Sequence, residues 1–113
     1  FDEGIAAATD ALPMSGRHLW LLAELAAMQS ARGETDAAET IHLEVSARAQ
    51  TGYVGWAERA AVAASAGHLD LARTWARKAV HMHDLFTRLW RIGAWRPARA
   101  DAACERILRS SGI

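Results

Sequence analysis

The segment Gly33-Glu34-Thr35-Asp36-Ala37-Ala38 has a counterpart 34 residues later, Gly67-His68-Leu69-Asp70-Leu71-Ala72. Each opens on a glycine, passes through a short turn-like stretch and ends on a small residue, and Gly4 holds the place of Ala38 one period earlier. A fixed period of this length is typical of stacked helical hairpins, because each hairpin buries its apolar face only against the next. The pattern predicts an all-α fold in which Gly4, Ala38 and Ala72 lie at the closest approach between paired helices.

Apolar residues at helical spacing extend outward from both glycines, so each glycine separates two predicted helices. The four helices are expected over 18–31, from a cap at Thr35 or Asp36 to about residue 48, over 54–66, and from 69 to about 81. Glycine ends a helix at little cost because it tolerates a left-handed backbone, and Thr35 or Asp36 is expected to cap the helix after Gly33. Asp70 suits the amino end of the fourth helix, where the helix dipole favours negative charge.

The two ends of the chain depart from this period. Residues 1–12 form one predicted helix, which Pro13 stops because proline lacks an amide donor and clashes with the preceding turn. Gly93 follows Gly67 by only 26 residues, so a shorter hairpin is expected after the second repeat, with an irregular turn between its helices. We expect one domain with a half repeat at 1–13, repeats at 17–50 and 54–83, and a C-terminal cap at 84–113. The half repeat also suggests a fragment of a longer protein.

Composition limits the classes of partner. The 113 residues carry 13 Lys plus Arg and 13 Asp plus Glu, so no net charge attracts nucleic acid or an anionic membrane. Basic residues do cluster toward the carboxyl end, and a solvated face partly paired with acids is preferred there over a nucleic-acid site. No run is long and apolar enough to span a bilayer and no leader opens the chain, which favours a cytoplasmic location.

The residues that could carry chemistry do not form a recognisable motif. His81 and His83 are the densest histidine pair, but residues two apart on a helix point about 200° apart, so the two imidazoles cannot share one ion unless the helix ends before them. His42 is expected to pack inside, with His68 exposed at a helix end. The single Cys104 has no predicted base beside it. The sequence therefore predicts no enzyme, no cofactor and no metal, with a small enzyme or metal-binding domain as the rival interpretation.

With these features the chain resembles the tetratricopeptide repeats, whose 34-residue units set a small residue of the second helix against a first helix that ends in glycine. Trp56 occupies the usual first-helix tryptophan position, Leu25-Ala26 keeps the large-small pair, and Arg59-Ala60 keeps it only in part. The stretch from Ala47 to Asp84 is similar to the last repeat of tetratricopeptide tails in bacterial signalling proteins. The resemblance implies a right-handed solenoid of helical hairpins with a degenerate C-terminal capping hairpin.

The same resemblance implies roles for two sets of residues. The cap would contain Trp95, Arg99, Asp101 and Leu108. The first helix of each hairpin would line a concave groove, formed by small and apolar residues: Trp20, Ala23, Ala27, Ala31, Val54, Ala57, Ala61 and Ala64.

A smooth groove of this kind suits an apolar helix held by close contact. Its occupant could be a partner helix, a second copy of the chain or the chain's own terminal helix. The expected function is protein–protein interaction or self-association, including a homodimer, as part of a bacterial regulatory protein. The alternative is an intramolecular regulatory tail of a transcription regulator, cyclase or kinase. Nucleic acid and membrane are not expected as partners.

Overall fold

The fold is helical throughout the residues that the computed structural model describes, 2–14, 18–52, 54–82 and 93–110. The helices are α1 Asp2–Met14, α2 Leu19–Ala31, α3 Thr35–Thr51, α4 Trp56–Ser65, α5 Leu69–His81, α6 Arg96–Arg99 and α7 Ala102–Arg109, with a 3-10 turn at Gly93–Trp95. Within these ranges there is no strand. The predicted all-α class is confirmed.

The two glycine turns of the sequence pattern have the same backbone structure. Gly33 and Gly67 adopt the left-handed φ values of 79° and 87°. The amide after each glycine donates to a carbonyl in the last turn of the preceding helix, at 2.8 Å after Gly33 and 2.9 Å after Gly67. This is the Schellman arrangement, in which a residue with positive φ lets the chain leave a helix while its last carbonyls stay hydrogen-bonded. The 34-residue period is therefore a period of structure as well as of sequence.

The helices pack in the order of the chain. Contacts join α2 to α3 and α4 to α5, and further contacts join α2 to α1 and α4 to both α2 and α3. Ala38 and Ala72 are fully buried, as close packing requires. Gly4 faces α2, where a Cβ atom would lie 2.6 Å from the Met28 sulfur. The small residue at this third position is thus explained by the next helix along the chain.

Several helix boundaries differ from those predicted. The helix α1 continues over Pro13 to Met14, because a proline in the last turn of a helix removes only one hydrogen bond. The helix α3 begins at Thr35 with Glu34 at its N-cap, so neither Thr35 nor Asp36 is the cap. Glu34 makes no capping hydrogen bond through its side chain, and the Schellman turn fixes the helix start instead.

The other boundaries lie close to the predicted ones. The helix α5 spans Leu69–His81 as expected, with Asp70 in its first turn. The helix α3 runs to Thr51, three residues past the predicted end, and α4 begins at Trp56, two residues late. His18 precedes α2 as its N-cap, where its Nδ1 accepts the Trp20 amide at 3.1 Å. The first part of the predicted C-terminal cap, residues 84–92, lies outside the described residues.

Asp101 joins the C-terminal part of the chain to α5 through hydrogen bonds. Its carboxylate accepts the Cys104 amide at 3.0 Å as the N-cap of α7, and it accepts Nε and Nη2 of Arg73 at 2.9 and 2.6 Å. Arg73 lies on α5, and α5 packs on α7. Trp95 and Leu108 are fully buried and Arg99 is half-buried. The Arg73 guanidinium, together with the Cys104 amide, holds the pKa of Asp101 well below its usual range.

This pairing predicts an acid-sensitive element of stability. An ionised Asp101 stabilises the fold above the unfolded-state pKa of about 3.9, and the contribution is lost as pH falls toward the lower folded-state value. Asp101→Asn keeps a capping oxygen but loses the charge, so its melting temperature should fall below that of the wild type at pH 7. The difference between the two melting temperatures should shrink as pH falls from about 4 toward 2. Asp70→Asn, at an exposed partner of Arg73, should change little, and a constant gap between wild type and Asp101→Asn across this pH range would contradict the assignment.

The repeat packing is tested at Ala38. Ala38→Leu adds volume to a fully buried site between helices and should lower the free energy of unfolding by about 1–3 kcal/mol. Ala47→Leu makes the same change at an exposed site on the same helix and should be close to neutral. Urea unfolding followed by circular dichroism measures both variants. Equal unfolding midpoints for the two would contradict close packing at Ala38.

Candidate functional site

The residues predicted to line an open groove are mostly interior. Six of the eight are buried: Ala23, Ala27, Val54, Ala57, Ala61 and Ala64. Trp20 is half-buried, and Ala31 is exposed. The surface formed by α2 and α4, here called the α2/α4 face, is therefore not an empty trough.

A stretch from the end of the chain covers this face. The 3-10 turn and α6, together the C-terminal segment (residues 93–99), contact both α2 and α4. Trp95 and Ala98 belong to the same buried cluster as the groove alanines. The predicted groove is therefore not open to a partner. A surface of alanine methyl groups is more stable in contact with a tryptophan ring than in contact with water. Among the three occupants considered from sequence, the chain's own terminal part is the one present.

A small opening remains at the edge of the C-terminal segment. It measures about 220 Å³ and is lined by Glu24, Ala27 and Met28 of α2 together with Gly93 and Arg96. A Cβ atom at Gly93 would lie 3.1 Å from a Glu24 carboxylate oxygen, so the segment approaches α2 closely here. Of the predicted groove residues, Ala27 is the one that lines this opening.

Three side chains able to bind metal converge where the two hairpins meet. Glu39 and His42 lie one turn apart on α3, and His68 is the N-cap residue of α5. His68 Nε2 and Glu39 Oε2 are 2.5 Å apart, and the His42 and His68 ring centroids are 4.6 Å apart. One ligand atom from each residue lies within 4.8 Å of the other two. We call these three residues the Glu-His-His cluster.

His42 is the buried member of the cluster. Its pKa is lowered by burial first and then by the positive charge of His68 and Arg59, against an opposing effect of Glu39. Burial thus favours the neutral imidazole, which keeps a free lone pair at one ring nitrogen. Among the described residues the His42 side chain makes no hydrogen bond, and its ring packs against Trp75 at a centroid distance of 6.1 Å.

Arg59 lies between two indole rings next to this cluster. Its Cζ atom is 4.5 Å from the ring centroid of Trp56 and 4.5 Å from that of Trp75. The Lys78 ammonium lies over the Trp56 ring, also at 4.5 Å. The Arg59 Nε is buried without a hydrogen-bond partner in the described part of the chain, and burial lowers the pKa of Arg59. Stacking on two rings gives the planar guanidinium favourable contacts where its Nε has no hydrogen bond.

A basic recess lies on the other side of Trp56. It measures about 400 Å³ and is lined by Trp56, Arg77, Lys78, His81 and Met82. Met82 is 65% exposed. His83 lies outside the described residues, so the structure does not bear on the His81 and His83 pair.

Cys104 is buried in α7, and burial raises the pKa of its thiol to about 11. At neutral pH the thiol is therefore protonated, and the thiolate is the nucleophilic form of cysteine.

Sequence reasoning assigned His42 to packing and His68 to an exposed helix end, and it missed their convergence. His68 and Glu39 are 29 residues apart in the chain, and only the stacking of the hairpins brings them together. One local signal was available: Glu39 and His42 have the spacing of i and i+3, which puts two potential ligands on one helix face.

Comparison with protein-family models, with curated proteins and with solved structures finds no match to this chain. In the described part of the chain, each helix is too short or too polar to cross a membrane.

The stacking of Arg59 gives a test of this region. Arg59→Ala removes two cation–π contacts and the packing of the aliphatic stem, and should lower the free energy of unfolding by about 1–3 kcal/mol. Arg59→Lys keeps the charge without the planar group and should fall between Ala and wild type. Arg77→Ala, at an exposed arginine of α5, is the matched control. Denaturant unfolding followed by tryptophan fluorescence compares them, and an Arg59→Ala midpoint equal to that of Arg77→Ala would contradict a stabilising stack.

Proposed function

We propose that this chain is a non-enzymatic, tetratricopeptide-like repeat module that acts in protein–protein interaction, as a solenoid of stacked hairpins with a capping C-terminal hairpin. The observation that carries the proposal is the C-terminal segment lying against both α2 and α4. These are the first helices of the two hairpins, the helices that line the ligand-binding surface in the repeat class that the sequence resembles. Contact of this segment with both helices supports the proposal.

The chemistry of the α2/α4 face suits an apolar occupant with an aromatic anchor. Ala23, Ala57 and Ala61 are fully buried and present only methyl groups. Methyl groups allow close approach and do not recognise charged groups. Trp95 is fully buried as well. A tryptophan buries about 150–250 Å², which at about 25 cal/mol per Å² stabilises the contact by about 4–6 kcal/mol. Recognition of this kind depends on shape and burial and needs no charged clamp.

The proposed partner is therefore a helical or turn segment that presents a large aromatic side chain. It would belong to another protein, a second copy of the chain or another domain of the same protein, and would compete with the C-terminal segment for the face. The resemblance to tails of bacterial signalling proteins places such a competition in a regulatory protein. In that setting an intramolecular regulatory tail is the alternative function, and it differs only in which molecule supplies the competing segment.

The test measures whether the α2/α4 face binds an apolar segment in trans. Trp95→Ala in the full chain should lower the free energy of unfolding by about 3–5 kcal/mol and free the face. A labelled synthetic peptide of residues 93–110 is then titrated against wild type and variant, with fluorescence anisotropy as the readout. The variant should bind the peptide and regain melting temperature, whereas the wild type, whose face is filled, should not bind.

The controls separate binding from loss of fold. Arg106→Ala changes an exposed arginine of α7, outside residues 93–99, and should behave as the wild type. Trp95→Leu retains apolar bulk and is used if circular dichroism shows that Trp95→Ala is unfolded. A folded variant that does not bind the peptide would mean that residues 93–99 are ordinary core, and the proposed binding face would be lost with them.

A further inference from the structure

We propose that Glu39, His42 and His68 form a binding site for a divalent transition-metal ion, with Zn²⁺ as the best chemical match. The site lies outside the α2/α4 face and does not depend on the proposed function.

The ligand set favours this class of ion. Two imidazoles and one carboxylate are a recurring zinc set that leaves a fourth position for water or another ligand. Imidazole nitrogen also selects against Mg²⁺ and Ca²⁺, which prefer oxygen ligands throughout. Here the three ligands come from two helices, α3 and the start of α5, so a bound ion would hold the geometry of both.

The present distances are within reach of a tetrahedral site. Ligands about 2.0–2.1 Å from one ion lie about 3.3 Å apart. The ligand atoms of the cluster are all within 4.8 Å of one another. The 2.5 Å contact of His68 with Glu39 would widen by about 1 Å and the longest separation would shorten, and both changes are side-chain rotations. Glu39 and His68 are half-buried and have room to rotate, while His42 is held by burial and by Trp75.

A hydrogen bond between His68 and Glu39 does not account for the whole cluster. It satisfies those two residues and leaves His42, which is buried and makes no hydrogen bond within the described residues. A metal ion would use the His42 lone pair and join all three groups. The Arg59 charge opposes a cation at this place, and the Glu39 carboxylate offsets it.

The three ligands of the cluster come from both hairpins, so a bound ion would affect how the hairpins pack. Glu39 and His42 belong to the first hairpin, and His68 belongs to the turn inside the second. Metal binding would therefore clamp the two hairpins together and would stabilise the native state by mass action. A raised melting temperature is expected in the presence of Zn²⁺, reversed by a chelator.

The experiment uses the full chain stripped of metal by a chelator and dialysed. Co²⁺ is titrated with its visible absorption as the readout, because tetrahedral Co²⁺ absorbs far more strongly than the aqueous ion, and Zn²⁺ is then added to displace it. We expect one ion per chain, quenching of tryptophan fluorescence by Co²⁺ through Trp75, and a higher melting temperature with Zn²⁺. Glu39→Gln and His68→Gln should each weaken binding by at least about tenfold.

The matched control is His81→Gln, which removes an exposed histidine away from the cluster and should leave binding unchanged. Circular dichroism confirms that each variant is folded, which is expected since Glu39 and His68 are only half-buried. Two results overturn the proposal. One is the absence of binding by the wild type at one ion per chain. The other is binding that survives Glu39→Gln and His68→Gln, or that His81→Gln removes.

Discussion

Close approach of helices on alanine is the constraint on which the rest of this structure depends. Within the described residues, fourteen of the 23 members of the buried core cluster are alanine, so the helices must lie close together to exclude water at all. A single methyl group buries little area, and the stability that it gives comes from many such contacts at high packing density. Small residues at the helix contacts are thus a requirement of the stack, and Gly4 against Met28 is one example.

The same constraint explains the role of the few large side chains. Trp95, Leu22 and Leu108 are the largest side chains that are fully buried. Two of them lie in the C-terminal part of the chain, and Trp95 belongs to the segment that covers α2 and α4. An alanine-rich stack of two hairpins leaves one face in need of cover, and the C-terminal segment supplies it. This gives the chain a physical reason to fold back on itself.

Polar and charged groups are concentrated at the junctions between elements. Asp101 joins α5 to α7 through Arg73, and the Glu-His-His cluster joins α3 to the start of α5. Arg59, stacked between Trp56 and Trp75, lies beside that cluster and contributes to the potential at His42. These junctions therefore contain titratable groups, whereas the buried core cluster is apolar.

The sequence by itself determined the helical class, the two equivalent turns and the span of α5, because these depend on local rules. Glycine at a helix end, helical spacing of apolar residues and a small residue at a fixed period all act within one hairpin. The cap residues Trp95, Asp101 and Leu108 came from the resemblance to a repeat family, and Trp95 and Leu108 are fully buried. Thr35 and Asp36 were wrong as caps, because the preceding glycine turn fixes the start of α3.

Only the tertiary structure decided which surfaces are open and which side chains meet. The groove residues Ala57 and Ala61 were identified as apolar, but their complete burial depends on how α4 packs against α2, α3, α5 and residues 93–99 together. His68 meets Glu39 and His42 only because the hairpins stack, and Arg59 finds Trp75 for the same reason. Periodicity specifies the face of a helix on which a residue lies. What covers that face depends on contacts between elements distant in sequence, and these are set by the packing of the whole chain.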